Sequence, residues 1–413
     1  MQASAELAIS ETVMRARFAK AYARTERSVK GISAFFLAAF AVVATMLASL
    51  YESFKPTRLS LVLGALLALH LMCDRRVLIT RESTLYAALL GYMTLSIFWT
   101  PDDNLAMNTL IPGLNFLLLF LLFGSLATFY DVRVVLFGTL CGFIFGAGLY
   151  TITQGFPFSR PADFSYNAIA GMYLFGLFAV MAWACYVRHA FICVVIAVVI
   201  MLHIAATTSI KTNLGVLLGA IAAAVLYFRK FAGVLRSYAI ALTIVSAAMA
   251  YAIISNGALL ERVESGYARV ALGVEVLSAR QDAPKGTSFV QRQDWKARGL
   301  AGWAEDPIFG KGAEAFRAQF GITSHSTPID LLYNFGLIGL VLFYAMFAAV
   351  VARLYHIRGV RTGQLPVLVI AALTCYVFIT LSGTMHYNPF LAIVIGTCVA
   401  LLRRESADAR SDP

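Results

Sequence analysis

Asn256-Gly-Ala-Leu-Leu-Glu-Arg262 opens and Ser324-His325-Ser-Thr-Pro328-Ile-Asp330 closes a long polar stretch; on both sides of it the chain consists of apolar segments joined by short loops. Hydrophobic residues fill 60% of the 413 positions and charged residues 13%, too little polar surface for an ordinary soluble protein. In lipid every backbone group has to be satisfied inside a helix or a closed barrel. Barrel strands alternate apolar and polar residues over about 10 positions. The runs here are continuous over about 20 residues, the length a spanning helix needs. The fold class expected is an all-α polytopic membrane protein with about 12 transmembrane helices and one large, partly helical outer loop. The spans fall near 31–51, 59–73, 84–99, 108–129, 134–152, 167–187, 190–206, 212–228, 236–254, 331–352, 365–382 and 388–402. The chain then divides into a basic N-terminal segment at 1–30, helices over 31–255, the outer loop 256–330, helices over 331–402 and a tail at 403–413.

A net charge of +11 raises nucleic acid as a partner, but the placement of the cations points to the bilayer instead. Arg15, Arg17, Lys20, Arg24, Arg27 and Lys30 precede the first span, and Arg75, Arg76 and Arg81 follow the second. Arg229, Lys230 and Arg236 lie between the eighth and ninth, Arg353, Arg358 and Arg361 between the tenth and eleventh, and Arg403 and Arg404 after the last. With an even count of spans all of these face one side, which the positive-inside rule makes cytoplasmic. The polar stretch then faces outward. The N-terminal segment reads as a basic amphipathic lead on the inner membrane surface rather than a cleaved signal. The six cysteines sit in or beside spans, so a disulfide framework is not expected. No metal-ligand or phosphate-loop spacing occurs.

Cations on the outer face are few, and the rule that sets topology does not account for them. Arg160 lies in the short loop Phe158-Ser-Arg160-Pro-Ala-Asp163, and Lys211 ends Thr207-Thr-Ser-Ile-Lys211, where a span begins. A helix N-terminus carries free N–H groups and the positive end of the dipole, which beside a lysine suits an anion. The plainer reading is a lysine whose head reaches the membrane interface. In the long loop, Ser288-x-x-Gln291 is a capping-box pattern that starts a helix, with an end near Glu305-Asp-Pro307 and a turn at Phe309-Gly-Lys-Gly312. Arg292 and Lys296 share a face of that helix, which an amphipathic helix lying on the membrane would also show. His325 stands just ahead of Thr327-Pro328, an N-cap followed by proline at the first helical position. The positive end of that helix disfavours imidazolium, so His325 is expected to be neutral and able to accept a proton; a local turn hydrogen bond is the alternative. His386 is the other histidine of the outer face. Asp102-Asp103 reads as a turn and a helix cap rather than a metal pair.

Arg292 with Trp295, then Asp306-Pro-Ile-Phe-Gly-Lys-Gly312, Ser324-His325 and Leu331-Leu-Tyr-Asn-Phe-Gly-Leu-Ile-Gly-Leu340 follow one another in an order that resembles the bacterial O-antigen ligase and polymerase superfamily. Arg160 through Asn167-Ala-Ile-Ala170 and Thr208-Ser-Ile-Lys211 are weaker matches. In the last of these the family commonly has Ser-Arg, and lysine keeps the charge but loses the bidentate fork. The resemblance implies a metal-independent, inverting glycosyltransferase without a cofactor, at the periplasmic face of the bacterial inner membrane. Its donor would be an undecaprenyl-pyrophosphate-linked glycan and, for an O-antigen ligase, its acceptor a sugar hydroxyl of lipid A-core. Arg292, Lys211 and Arg160 would hold the pyrophosphate, and His325 would act as general base. Tyr333 and His386 would line the acceptor pocket. An O-antigen polymerase or a protein O-oligosaccharyltransferase would share these motifs. A lipid or glycolipid transporter, from a different class, predicts charged or broken helices at the bilayer midplane.

Overall fold

Apolar runs with few helix breakers fold here as helices, and no strand occurs among the described residues. The computed structural model describes residues 30–50, 55–154, 166–187, 190–206, 209, 211–223, 225, 288–357 and 364–411. Arg160, the expected span at 236–254 and the polar stretch before Ser288 lie outside the described residues. The helices are α1 (Lys30–Leu50), α2 (Pro56–Asp74), α3 (Arg81–Leu95), α4 (Asp103–Phe129), α5 (Val132–Gln154), α6 (Tyr166–Ala184), α7 (Ala190–Ala206) and α8 (Lys211–Ala223). After the polar stretch come α9 (Ser288–Glu305), the short α10 (Ala315–Phe320), α11 (Thr327–Ile357), α12 (Gln364–Thr380) and α13 (Pro389–Ser411).

The expectation of about 12 transmembrane helices is corrected by helix length. Among the described residues, five helices are long and apolar enough to cross a membrane: Lys30–Leu50, Pro56–Asp74, Asp103–Phe129, Val132–Thr153 and Thr327–His356. The chain is a multi-pass membrane protein by that count. Four expected spans are shorter apolar helices, Ile169–Ala184, Ile192–Ile204, Lys211–Ala223 and Leu365–Thr380, of 10–17 residues. At about 1.5 Å per residue these apolar parts, as far as they are described, reach about 26 Å at most, short of a hydrocarbon core of about 30 Å. The third expected span ends as a helix at Leu95 and continues as a 3₁₀ turn, Ser96–Trp99. The last, α13, has 23 residues but carries Arg403, Arg404 and Glu405 beyond its apolar part. A hydropathy sum counts apolar residues without seeing where the helix stops.

With five candidate spans among the described residues, an even count is no longer in hand to assign loops to sides. The specific O-antigen ligase assignment, with inverting transfer from undecaprenyl-pyrophosphate to lipid A-core and His325 as general base, rests on the twelve-span frame and falls with it. The O-antigen polymerase and protein O-oligosaccharyltransferase alternatives shared that frame and fall likewise.

Small residues let the helices approach closely, as expected where lipid supplies no hydrophobic drive between them. On α5, Gly138 and Gly142 face α1 so tightly that an added Cβ would stand 2.6 Å from the carbonyl oxygens of Phe35 and Ala39. Helix α13 packs along α4, with Gly396 against the Phe120 carbonyl. At the far end of that contact Arg404 donates to the Ala127 and Tyr130 carbonyl oxygens at 3.1 and 2.7 Å, covering the C-terminus of α4.

Helices α3 and α11 run antiparallel. Glu82, on the first turn of α3 and 1% exposed, receives the Arg353 guanidinium from the last turns of α11 at 3.0–3.2 Å. Near the other end of α3, the Tyr92 hydroxyl donates to the Phe309 carbonyl at 2.7 Å. The 3₁₀ turn Ser96–Trp99 therefore emerges at the end where α11 begins.

Helix α11 is interrupted at Gly336, whose φ of 60° and ψ of −161° are not helical. The break frees backbone groups, and the turn after α9 takes them up. Lys311 and Gly312 N–H donate to the Tyr333 and Asn334 carbonyls at 2.9 and 2.8 Å. In return Leu337 and Ile338 N–H donate to the Pro307 and Ile308 carbonyls at 2.9 and 3.4 Å. The Pro307–Gly312 turn is thus spliced into the broken helix, which meets the rule that irregular backbone at membrane depth be satisfied by protein. A broken helix is one signature of a transporter site, but here the opened groups are filled by the chain itself.

Candidate functional site

The splice carries the rest of the polar segment toward the start of α11. From α9 the chain turns at Pro307–Gly312, forms α10, and reaches Ser324-His325-Ser326 just before Thr327. His325 has φ +53°, a left-handed conformation that a non-glycine residue holds only when its surroundings require it. They do. The buried Ser324 hydroxyl donates to the Ser326 carbonyl at 2.8 Å and lies 3.2 Å from the Asp330 carboxylate, while Ser326 N–H donates back to Ser324 Oγ at 3.2 Å. Thr327 donates through its N–H and its hydroxyl to the Gly383 carbonyl, at 3.1 and 2.6 Å, and accepts from Met385 N–H at 2.8 Å. The His325 loop is therefore clamped between the first turn of α11 and the segment that joins α12 to α13.

That same joining segment holds Lys211. Its ammonium donates to the Ser382 carbonyl at 3.4 Å, and a Cβ on Gly383 would stand 2.7 Å from its Nζ. Arg292, exposed one turn into α9, lies close enough to act on both the Lys211 ammonium and the His325 imidazole. Trp295 from the same helix sets its ring 5.4 Å from that of His325. Three residues from three separate parts of the sequence converge: Lys211, Arg292 and His325. Each sits at or near the N-terminus of a helix, α8, α9 and α11, where the positive end of the dipole also favours an anion. The first amide of α11 is already engaged by Gly383, so that helix contributes its field more than its free N–H groups.

Burial lowers the Lys211 ammonium to about 8, and Arg292 adds to the effect. Burial also lowers His325, with Arg292 and then Lys211 pushing the same way, so the imidazole is neutral beside two cations. Among the described residues no carboxylate forms an ion pair with Lys211 or Arg292. A cluster of cations and helix ends without a counter-charge suits an anion, and a neutral imidazole can accept a hydrogen bond from a ligand held there.

Of the other expected site residues, Tyr333 is buried. Its hydroxyl donates to the Gln319 amide oxygen, its ring lies under Lys311 at 5.4 Å, and it packs with Phe316. His386 is fully enclosed, with Phe335 and Phe343 edge-on to its ring, and its backbone carbonyl accepts from the Tyr86 hydroxyl at 2.8 Å. Its Nε2 is 3.9 Å from Asp330, too far for a hydrogen bond, and burial pulls it down to about 3, so the two are not an ion pair. Sequence reasoning did not single out Glu314. It is buried at φ +58°, accepts from the Thr109 hydroxyl and has its carboxyl raised mainly by burial. A carboxylate in a polar loop sequence gives no sign of being buried, so nothing in the chain could have found it. Among the described residues no group of three or more His, Cys, Asp or Glu is arranged to hold a metal ion.

Compared with known proteins, the chain matches no family model and no curated protein.

Proposed function

We propose that this protein is a membrane transferase of the glycosyl-transfer class that binds the pyrophosphate of a lipid-linked substrate between Lys211 and Arg292. The observation that carries this reading is the convergence of those two cations with neutral His325. The motif order noted above, which resembles that of polyprenyl-linked glycan transferases, supports this reading and a donor on the periplasmic side of a bacterial inner membrane. A lipid-linked pyrophosphate fits because its anionic head meets the cations while its tail stays in the bilayer beside α8 and α11. Preorganised cations of this kind stabilise charge that develops on a departing pyrophosphate without further rearrangement.

The sign of the pH dependence follows from Lys211. Its ammonium is charged below about 8 and neutral above, and an anion favours the charged form. Affinity for a short-chain prenyl-pyrophosphoryl saccharide, whose pyrophosphate diester does not titrate near neutrality, is therefore expected to be full below about pH 8 and to fall as pH rises through it. Lys211→Arg, charged throughout, is expected to flatten that fall. Titration of the protein in nanodiscs at several pH values measures both. Affinity in wild type that is flat or rises across this range contradicts the assignment.

A further inference from the structure

A cavity of about 510 Å³, lined in part by α10 and the turn before it, differs in character from the Lys211 site. Trp99, Pro101 and Asp102 form one wall, and Lys311 with Ala315 and Gln319 the other. The walls are fastened to each other from behind. The Thr100 hydroxyl donates to the Ala313 carbonyl, Ala313 N–H donates to Ser96 Oγ at 3.1 Å, and the Thr109 hydroxyl donates to Glu314. Gly312, at φ +96°, has no room for a Cβ against Thr100. The cavity is preformed, as small-molecule sites usually are, and its volume is in their range.

Its chemistry argues for a neutral, hydroxyl-rich ligand. The Trp99 indole is 41% exposed, a flat apolar face. Around it stand a carboxylate, an ammonium and an amide. Lys311 is already paired with Glu305, and Asp102 caps α4 through Asn104 and Leu105 N–H at 2.9 and 3.1 Å. Opposite charges that are each partly satisfied disfavour a strong anion or cation, whereas hydrogen-bond capacity remains on the carboxylate, the ammonium and the Gln319 amide. An aromatic face beside such groups matches a sugar ring, which has apolar C–H faces and a polar edge. Phe98 and Phe309 are 87% and 60% exposed nearby, as aromatic residues are where a protein meets the membrane interface. Helix α10 forms the partition: Ala315, Ala318 and Gln319 face this cavity, while Phe316 and Phe320 pack with Tyr333. Tyr333 thus stands behind the wall through Gln319.

We infer that the Trp99–Lys311–Gln319 cavity is a saccharide-binding site, separate from the anion site. That it receives the acceptor rests on the proposed transferase reading; the binding itself does not.

Saturation-transfer NMR on the full chain in nanodiscs tests it, with methyl β-glucoside, methyl β-galactoside and N-acetylglucosamine as probes. Wild type is expected to transfer magnetisation to the ring protons of at least one of them. Trp99→Ala is expected to weaken that binding roughly tenfold, and Trp99→Phe to weaken it less. Ala318→Trp, which fills the cavity from α10, is expected to abolish it, and covers the case in which Trp99→Ala does not fold. All three are expected to bind the prenyl-pyrophosphoryl ligand as wild type does. No transfer to any of the three sugars, or sugar binding unchanged in both Trp99→Ala and Ala318→Trp, overturns the inference. Failure of wild type to bind the pyrophosphate ligand, with sugar binding intact, overturns the anion-site reading and leaves this one standing.

Discussion

Gly336→Ala is expected to leave little folded protein. Its φ and ψ lie in a region open essentially to glycine alone, at a cost of about 1–3 kcal/mol for any other residue. A Cβ there would stand 2.2 Å from the Ile308 carbonyl oxygen and 2.7 Å from Gly310 N, both backbone atoms that no rotamer change can move. Relief requires pulling the Pro307–Gly312 turn out of the break in α11, which strands the four backbone pairs between them. An unsatisfied buried group costs about 1–3 kcal/mol, so the total approaches the whole stability of an ordinary domain. Gly148→Ala in α5, where an added Cβ meets nothing within 4 Å, is the control and is expected to be neutral or slightly stabilising. Monodisperse yield in detergent and the thermal midpoint compare them. A Gly336→Ala protein as abundant and as stable as wild type would show that the splice is not what holds this end of the fold.

Arg353→Ala is expected to be the other severe change. It removes the guanidinium from Glu82, whose side chain is 1% exposed, and leaves a carboxylate buried without its counter-charge. Breaking a buried pair in this way costs about 3–5 kcal/mol, much of it the desolvation of the group left behind. Removing both partners with apolar residues, Glu82→Leu with Arg353→Leu, is expected to recover most of the loss, because an apolar pair of similar size needs no desolvation. Arg353→Lys keeps the charge without the two-nitrogen fork and is expected to fall between. Thermal midpoints of the single and double variants give the coupling. Additive effects, with the double variant worse than Arg353→Ala, would mean that the pair does not tie α3 to α11.

The signals that could be read correctly from the chain were short-range. Among the described residues α9 begins at Ser288 and ends at Glu305, the expected turn falls within Pro307–Gly312, Thr327 begins α11 and Asp102 caps α4. Each depends on the chemistry of a few adjacent residues. The span count was misread because it depends on where a helix ends, and an apolar run such as 365–382 looks the same whether or not its helix reaches across the bilayer. Gly336 carried no signal within an apolar sequence. Its role appears only once Gly310, 26 residues earlier in the chain, is placed against it. For the candidate site, charge singled out Lys211, Arg292 and His325, but their convergence depends on Ser382 and Gly383, two residues without any feature that would select them.

The central claim is that Lys211 and Arg292 hold the anionic head of a lipid-linked substrate. Its most direct test is the affinity of the prenyl-pyrophosphoryl saccharide for wild type, Lys211→Ala, Arg292→Ala and the double variant in nanodiscs, each first checked for a wild-type thermal midpoint. A hydrogen bond to a charged group contributes about 1.5–3 kcal/mol, so each single variant is expected to lose about ten- to a hundredfold and the double variant more than either. A folded double variant that binds the ligand as tightly as wild type would contradict the claim.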